Sequence, residues 1–213
     1  MATTWILVAN ASQAKLFSNS GPKKGLSLVK DLKHPESREK AADLVSDRPG
    51  QMHSPVLLDA DQRVIKPCLL WLDRRCAAET AELIEAMRLP PYLLNSTYTL
   101  PKLVWMSRHR PELLLRARTL LFPKDFIRFR LTGVLCTDVT EGRGASLIEI
   151  ERDVWAAERL EYANLSPQVL PPIFDAQAII GGPLPEVAAK LGLPVDAKVL
   201  VGVGDVAAIL GGA

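Results

Sequence analysis

The sequence has few of the residues that build covalent or metal-linked scaffolds. It contains only 3 cysteines. Cys68, Cys76 and Cys136 have neither the even count of a disulfide framework nor the spacing of metal ligands. Free cysteines of this kind usually behave as small apolar residues in a compartment that keeps them reduced. We therefore predict buried or incidental thiols, no metal ligands and a cytoplasmic protein.

Long apolar runs and a strong net charge are also missing. The opening residues, MATTWILVAN, lack the basic and long apolar segments of a signal peptide, and no run approaches the ~20 residues of a membrane span. A formal net charge of +2 is too small to indicate binding to nucleic acid or an anionic membrane. We therefore expect neither partner, and the sequence gives no oligomeric state.

What the sequence does contain is a mixture of strand and helix patterns, which predicts an α/β fold. Short apolar runs predict strands at 5–8, 14–17, 26–32, 56–58, 64–65 and 198–201. Helical spacing, with proline and glycine at the ends, predicts helices at 74–88, 101–109, 111–119, 123–131, 155–162 and 186–191. A last helix is expected to begin at Val206.

A glycine motif follows the last predicted strand. Residues 202–207, GVGDVA, fit the dinucleotide fingerprint G-x-G-x-x-A. A dinucleotide-binding βαβ unit needs about 30 residues and an acidic residue near its far end, whereas 8 residues follow Asp205. The phosphate-binding motif G-x-x-x-x-G-K-[ST] is absent from the sequence. We therefore expect no nicotinamide cofactor.

Asp205 follows that strand through two glycines and precedes small residues with a helical pattern. A carboxylate in such a loop is exposed at a strand end, where it can act as a general base on a hydroxyl group. Aspartate is also a favoured N-cap, so Asp205 can equally begin the last helix. The residues alone leave both roles open.

Several stretches, taken together and in order, resemble the FGGY carbohydrate kinases, and the xylulokinases in particular. They are GQMH at 50–53, LLD at 57–59, RV at 63–64, PCLLWLDRR at 67–75, LPKLVW at 100–105, LFPKDFIRFRLTG at 121–133, TD at 137–138 and LVGVGDVAAILGGA at 200–213. The resemblance implies the sugar-binding N-terminal domain of such a kinase, cut off before the nucleotide-binding half. It implies a partial ribonuclease H-like (actin-like ATPase) fold, a mixed sheet with flanking helices.

The resemblance also assigns roles to residues. Asp205 would be the catalytic base that takes the proton of a sugar hydroxyl. Residues predicted to contact the sugar are Gln51, Met52, His53, Trp71, Asp73 and Arg75.

Each assignment has an ordinary alternative. His53 also fits an exposed loop residue, and Trp71 with Asp73 also fits a buried tryptophan beside a helix that Asp73 caps. Trp105 fits the core better than a sugar platform.

The family implies ATP and Mg²⁺ as cofactors and a ketopentose such as D-xylulose as substrate. A member should open with a strand, the turn Asp-x-Gly-Thr and a second strand, because this turn cradles phosphates and organises the metal. Here the turn at 10–12 reads Asn-Ala-Ser. We therefore expect a phosphotransferase-like chain whose ATP binding is doubtful and whose activity is undecided.

Residues 1–49 resemble a different family. The stretches WILVANAS at 5–12, AKLF at 14–17, HPESR at 34–38 and DLVSDRPG at 43–50 are similar to the opening of the bacterial host-attachment proteins. We therefore predict a chimera, with a host-attachment-like segment at 1–49 and a truncated kinase domain at 50–213. Three functions stay open: a kinase-derived protein, a non-catalytic sugar-binding relic, and an interaction module carried by the N-terminus.

Overall fold

The computed structural model describes residues 3–9, 13–33, 54–90, 94–194, 196–204 and 207–208. The chain divides into two compact units, Met1–Gly50 and Gln51–Ala213. This division describes the structure and does not test whether residues 1–49 and 50–213 have separate origins. The chimera therefore stays a prediction.

The first unit holds a meander of three antiparallel strands. These are β1 (Thr4–Ala9), β2 (Gln13–Asn19) and β3 (Ser27–Lys33), in that order across the sheet. Ile6 lies opposite Phe17 and Leu7 lies opposite Leu16, and the register between β2 and β3 shifts at Leu16 and Phe17. Cross-strand pairs of aliphatic and aromatic residues stabilise such a sheet, and the three strands predicted for this segment are confirmed.

The second unit contains two short antiparallel ladders. Strand β4 (Val56–Leu58) pairs with β5 (Thr119–Leu121), and β6 (Ile148–Glu149) pairs with β7 (Val154–Trp155). The strands predicted at 64–65 and 198–201 are reduced to single bridges, Leu58 with Val64 and Ile179 with Leu200. The first bridge still forms the hairpin expected after β4.

Seven α-helices occur among the described residues of this unit. They are α1 (Ala77–Ala86), α2 (Thr99–His109), α3 (Pro111–Arg116), α4 (Pro123–Thr132), α5 (Val139–Gly144), α6 (Ala157–Glu161) and α7 (Pro185–Leu191), with a 3-10 helix at Pro167–Val169. Helices α4 and α7 begin at proline and end at glycines with left-handed backbone, Gly133 (φ 75°) and Gly192 (φ 72°). The C-terminal ends of both helices at these glycines were predicted from the sequence.

Two predicted helices are partly wrong. The helix expected at 111–119 ends at Arg116, because Ala117 is extended and the Arg118 N–H donates to the carbonyl of Leu58 at 2.8 Å. Pairing with β4 therefore converts the following apolar residues into β5. The helix expected at 155–162 begins only at Ala157, because Val154–Trp155 pairs with β6.

The core of the second unit is built around α2. Leu100, Leu103 and Val104 are almost completely buried, and they pack in one cluster with Phe122 and Leu147. Partly buried side chains from α1, including Ile84, cover its edge. A second, smaller cluster packs Phe129 of α4 against Val56, Leu58 and Leu121, so the β4–β5 ladder fixes the helix on which part of the polar site is built.

The cysteines lie where small apolar residues would. Cys76 and Cys136 are buried, Cys68 is partly buried, and all three are free thiols. Burial raises the pKa of each thiol, which lowers its reactivity. The prediction of buried thiols is confirmed. Across the ranges given above, no helix has both the length and the apolar character to cross a bilayer.

Leu103→Ala is expected to destabilise the second unit by about 2–5 kcal/mol, because it removes a fully buried side chain and leaves a cavity. Leu115→Ala is the matched control, since Leu115 is 76% exposed, and it should change stability by at most about 0.5 kcal/mol. Denaturant unfolding of both variants measures the difference. Equal losses for the two variants would contradict the assignment of the core.

Candidate functional site

The glycine loop before Asp205 is bound to the start of α5. The Gly204 N–H donates to Thr140 Oγ1 at 2.7 Å. The Thr140 hydroxyl donates in turn to Asp138 Oδ1, and the same oxygen accepts from the Thr140 N–H at 2.8 Å. Asp138 is therefore both the N-cap of α5 and the anchor of the threonine that holds the loop.

The other end of the loop is bound to α4. The Val201 carbonyl accepts a hydrogen bond from Arg128 Nη1 at 2.5 Å, and Lys124 Nζ lies 3.5 Å from the same oxygen. Arg128 Nη2 also donates to the carbonyl of Cys136. Backbone groups on both sides of the Gly202–Gly204 loop are thus held by side chains.

Four charges form a buried network beneath this loop. Lys124 Nζ lies 2.9 Å from Asp125 Oδ1 and 2.7 Å from Asp138 Oδ2, and Arg128 Nη1 lies 3.1 Å from Asp125 Oδ1. Asp125 and Asp138 are at most 1% exposed, Arg128 is 5% exposed and Lys124 is 24% exposed. Two cations balance two anions, which is the condition under which charges can be buried.

The network is not fully satisfied by hydrogen bonds between described residues. Asp125 Oδ2, Arg128 Nε and Thr137 Oγ1 are buried without such a partner. Buried polar groups without partners cost about 1–3 kcal/mol each. Replacing a buried charge network by apolar residues is often neutral or stabilising, so the arrangement is better explained by the loop that it holds.

The loop favours glycine at Gly202 and leaves little room for a side chain at Gly204. Gly202 has φ 78°, in the left-handed region that favours glycine. A Cβ atom at Gly204 would lie 3.2 Å from Thr140 Oγ1 and 3.6 Å from the Glu141 carboxyl carbon. The carbonyl of Gly204 accepts from the Ala208 N–H at 2.9 Å, and residues 207–208 are helical, within the stretch where the last helix was predicted.

A second polar cluster joins the residues just before α1 to the side chains of α2. Arg75 Nε is 3.0 Å from Asp73 Oδ1, and Arg75 Nη2 is 2.5 Å from Asp73 Oδ2. The guanidinium lies 4.6 Å from the centre of the Trp105 ring, which stacks on His109 at 4.8 Å. The hydrogen bonds from Arg75 lower the pKa of the Asp73 carboxyl, and partial burial opposes them. Asp73 is therefore held as a carboxylate.

Asp73 does not cap α1, so that alternative is wrong. Its Oδ1 accepts from the Arg75 N–H at 3.1 Å, and the N-cap position of α1 is occupied by Cys76, which makes no side-chain cap. Trp105 packs against the core, as predicted, but it also carries Arg75 on its face. The sequence did not indicate this pairing.

Of the other predicted sugar contacts and the predicted base, the structure describes only one residue, Trp71. Trp71 is half-buried. Gln51, Met52, His53 and Asp205 lie outside the described residues. The roles of all seven predicted site residues therefore stay predictions.

Sequence reasoning missed Lys124, Arg128 and Thr140 as site-building residues. Signals for them were present, since Lys124 and Arg128 have the i, i+4 spacing that places them on one face of a helix. Asp138 is followed three residues later by Glu141, which is a helix N-terminus pattern. Their meeting at Val201 and Gly204 depends on tertiary structure and has no local signal.

A metal site finds no support in the described part of the chain. No group of three or more His, Cys, Asp or Glu side chains lies there in an arrangement that could hold an ion. The Mg²⁺ that the kinase resemblance implies therefore has no such ligand set among these residues.

Comparison with known proteins gives two family matches. Residues 49–212 match the FGGY family of carbohydrate kinases, N-terminal domain. Residues 5–64 match the family described as protein required for attachment to host cells. The two matches overlap at residues 49–64. The predicted boundary between residues 49 and 50 lies at the start of this overlap.

Curated relatives of the kinase-like part are xylulose kinases. That of Escherichia coli (strain K12) is 38% identical over 165 residues, which cover 75% of this chain and 34% of the relative. That of Bacillus subtilis (strain 168) is 36% identical over 163 residues, which cover 73% of this chain and 32% of the relative. The chain thus spans about one third of the length of the curated relatives it matches.

Solved structures give the same fold. A xyloylose kinase from Brucella ovis matches with a TM-score of 0.77 and 28% identity, over 97% of this chain and 49% of that one. Xylulose kinase from Rhodospirillum rubrum matches with the same TM-score at 22% identity. The fold class is therefore that of the carbohydrate kinases, the actin-like ATPase fold, as predicted. Through its N-terminal domain, the chain belongs to the FGGY family of carbohydrate kinases.

Arg128→Met is expected to destabilise the second unit by about 3–5 kcal/mol, because it removes one partner of a buried charge network. Adding Asp125→Leu removes the carboxylate that the first change leaves under-neutralised. The double variant should therefore lose less than the sum of the two single losses, by about 0.5–3 kcal/mol. Denaturant unfolding of the three variants measures this coupling.

Arg143→Met serves as the control for losing an arginine. Arg143 pairs with Asp153 at 2.5 Å, but both side chains are nearly half exposed, so the loss should stay below about 1 kcal/mol. Additive losses at Arg128 and Asp125 would contradict a coupled network.

Proposed function

We propose that residues 51–213 form the sugar-binding part of a ketopentose kinase, with Asp205 as the general base. The observation that carries the proposal is the loop before Asp205, whose Val201 carbonyl is held by the buried side chain of Arg128 and whose Gly204 N–H is held by the partly buried side chain of Thr140. Membership of the kinase family and the xylulose kinase relatives support D-xylulose as the sugar.

The proposed chemistry balances with one carboxylate and one sugar hydroxyl. The Asp205 carboxylate takes the hydroxyl proton while the sugar oxygen forms a bond to the γ-phosphorus of ATP. The bond from that phosphorus to the β,γ-bridging oxygen breaks, and ADP leaves with the electron pair. In such reactions catalysis is mainly positioning and charge stabilisation, so a loop held in place before the base suits this chemistry.

We propose further that these 213 residues alone bind the sugar without phosphorylating it. The turn at 10–12 reads Asn-Ala-Ser where the family has Asp-x-Gly-Thr, and the chain spans about half the length of the matched kinase structures. A phosphate-binding turn would position the phosphates and offset their charge, and positioning and charge stabilisation together provide most of the rate. ATP binding and the cytoplasmic location stay predictions.

A second function is favoured by the other family match. Residues 5–64 match proteins required for attachment to host cells, so the N-terminal unit is a candidate interaction module. In that case the function would lie in the N-terminal unit, and the kinase-like part would not bind the sugar. Titration with sugar separates the two proposals.

Calorimetric titration with D-xylulose is expected to show saturable binding by the whole chain. His53→Ala should weaken binding by about tenfold, the loss expected for one hydrogen bond to a sugar hydroxyl. Asp205→Asn should change affinity little, because the amide still bonds the hydroxyl while it no longer accepts the proton. ATP added with the sugar should give no turnover.

His34→Ala is the matched control for the titration, since His34 lies in the N-terminal segment, outside the residues proposed to bind the sugar, and the change should leave sugar affinity unchanged. D-xylulose-dependent ATP turnover that disappears in Asp205→Ala would contradict the proposed inactivity. A chain that shows no heat with D-xylulose would contradict the sugar site and favour the interaction module.

A further inference from the structure

Thr140 makes more contacts than its place in a short helix requires. As a residue of the first turn of α5, its backbone N–H already satisfies the Asp138 cap at 2.8 Å. The hydroxyl adds a second bond to the same carboxylate and also receives the Gly204 N–H at 2.7 Å. The cap does not need these two bonds, so they point to a role in the loop.

The direction of these bonds is fixed by chemistry. A carboxylate only accepts and a backbone N–H only donates, while a hydroxyl has one proton and two lone pairs. The Thr140 hydroxyl must therefore give its proton to Asp138 and accept from Gly204. Lys124 Nζ, at 2.7 Å from the other oxygen of Asp138, stabilises the charged end of this chain of bonds.

The loop needs such a restraint because glycine is the most flexible residue. Glycine loses more conformational entropy on ordering than any other residue, and two of the three residues before Asp205 are glycines. The Gly204 carbonyl is held by the Ala208 N–H at 2.9 Å. With its N–H bound to Thr140, the residue that precedes Asp205 is fixed through both backbone polar groups.

We propose that Thr140 is a positioning residue, which holds the glycine loop through the Gly204 N–H so that Asp205 is presented to the sugar. The proposal rests on the proposed role of Asp205. Thr140 itself touches no reacting atom in it. Threonine and serine can both do this through a hydroxyl, whereas valine, with the same shape and no hydroxyl, cannot.

Hydrogen exchange followed by NMR on the full chain tests the contact directly. Thr140→Val should accelerate exchange of the Gly204 amide by tenfold or more, while the Leu103 amide in the core helix α2 keeps its rate. Thr140→Ser should restore the rate of Gly204. Unchanged exchange at Gly204 in Thr140→Val, or equal acceleration at Gly204 and Leu103, would overturn the proposal.

Sugar binding separates a positioning role from a merely structural one. Thr140→Val should weaken D-xylulose binding severalfold in calorimetry, because the sugar must then order the loop, and Thr140→Ser should bind as the wild type does. Weakening in both variants alike would overturn the positioning role. Absence of binding by the wild type would instead contradict the proposed function, and the exchange at Gly204 would still decide the role of Thr140.

A second variant covers the case in which Thr140→Val does not fold. Gly204→Ala approaches the same contact from the loop, since the added Cβ would lie 3.2 Å from Thr140 Oγ1, tighter than most contacts of this kind. It should accelerate exchange of its own amide and weaken D-xylulose binding, with the exchange of Leu103 unchanged. Normal exchange and normal binding in Gly204→Ala would overturn the proposal.

Discussion

The ammonium group of Lys124 lies between two buried carboxylates, those of Asp125 and Asp138, and the rest of the site depends on this contact. It joins the first turn of α4 to the N-cap of α5, and through Thr140 and Val201 it reaches the loop before Asp205. Burying charges is costly even when they are paired. The network therefore contributes a fixed loop geometry more than it contributes stability.

In the second unit, the apolar core and the buried charge network have different roles. Apolar side chains around α2 form the larger core, and a smaller cluster holds Phe129 of α4 against β4 and β5. The helices in turn place Lys124 and Arg128 at the Val201 end of the loop and Thr140 at the Gly204 end. The cluster of Asp73, Arg75 and Trp105 is a separate polar surface, and its carboxylate is kept charged by the adjacent guanidinium.

Local signals in the sequence predicted much of this fold. Pro123 and Gly133 bounded α4 correctly, because proline and glycine act on the backbone where they stand. Strand β5 was missed, since its residues become a strand only by pairing with a distant strand. The contact of Thr140 with Gly204 was missed for the same reason, because residues distant in sequence meet there through the tertiary fold.

We propose that Asp205 faces the sugar rather than serving only as a helix cap. A crystal structure of the full chain with D-xylulose tests it most directly. If Asp205 is the base, a sugar hydroxyl lies within about 2.6–3.2 Å of its carboxylate, and the Gly204 N–H still donates to Thr140 Oγ1. A sugar bound elsewhere, or an Asp205 carboxylate occupied with the N–H groups of the helix that follows, would contradict the account.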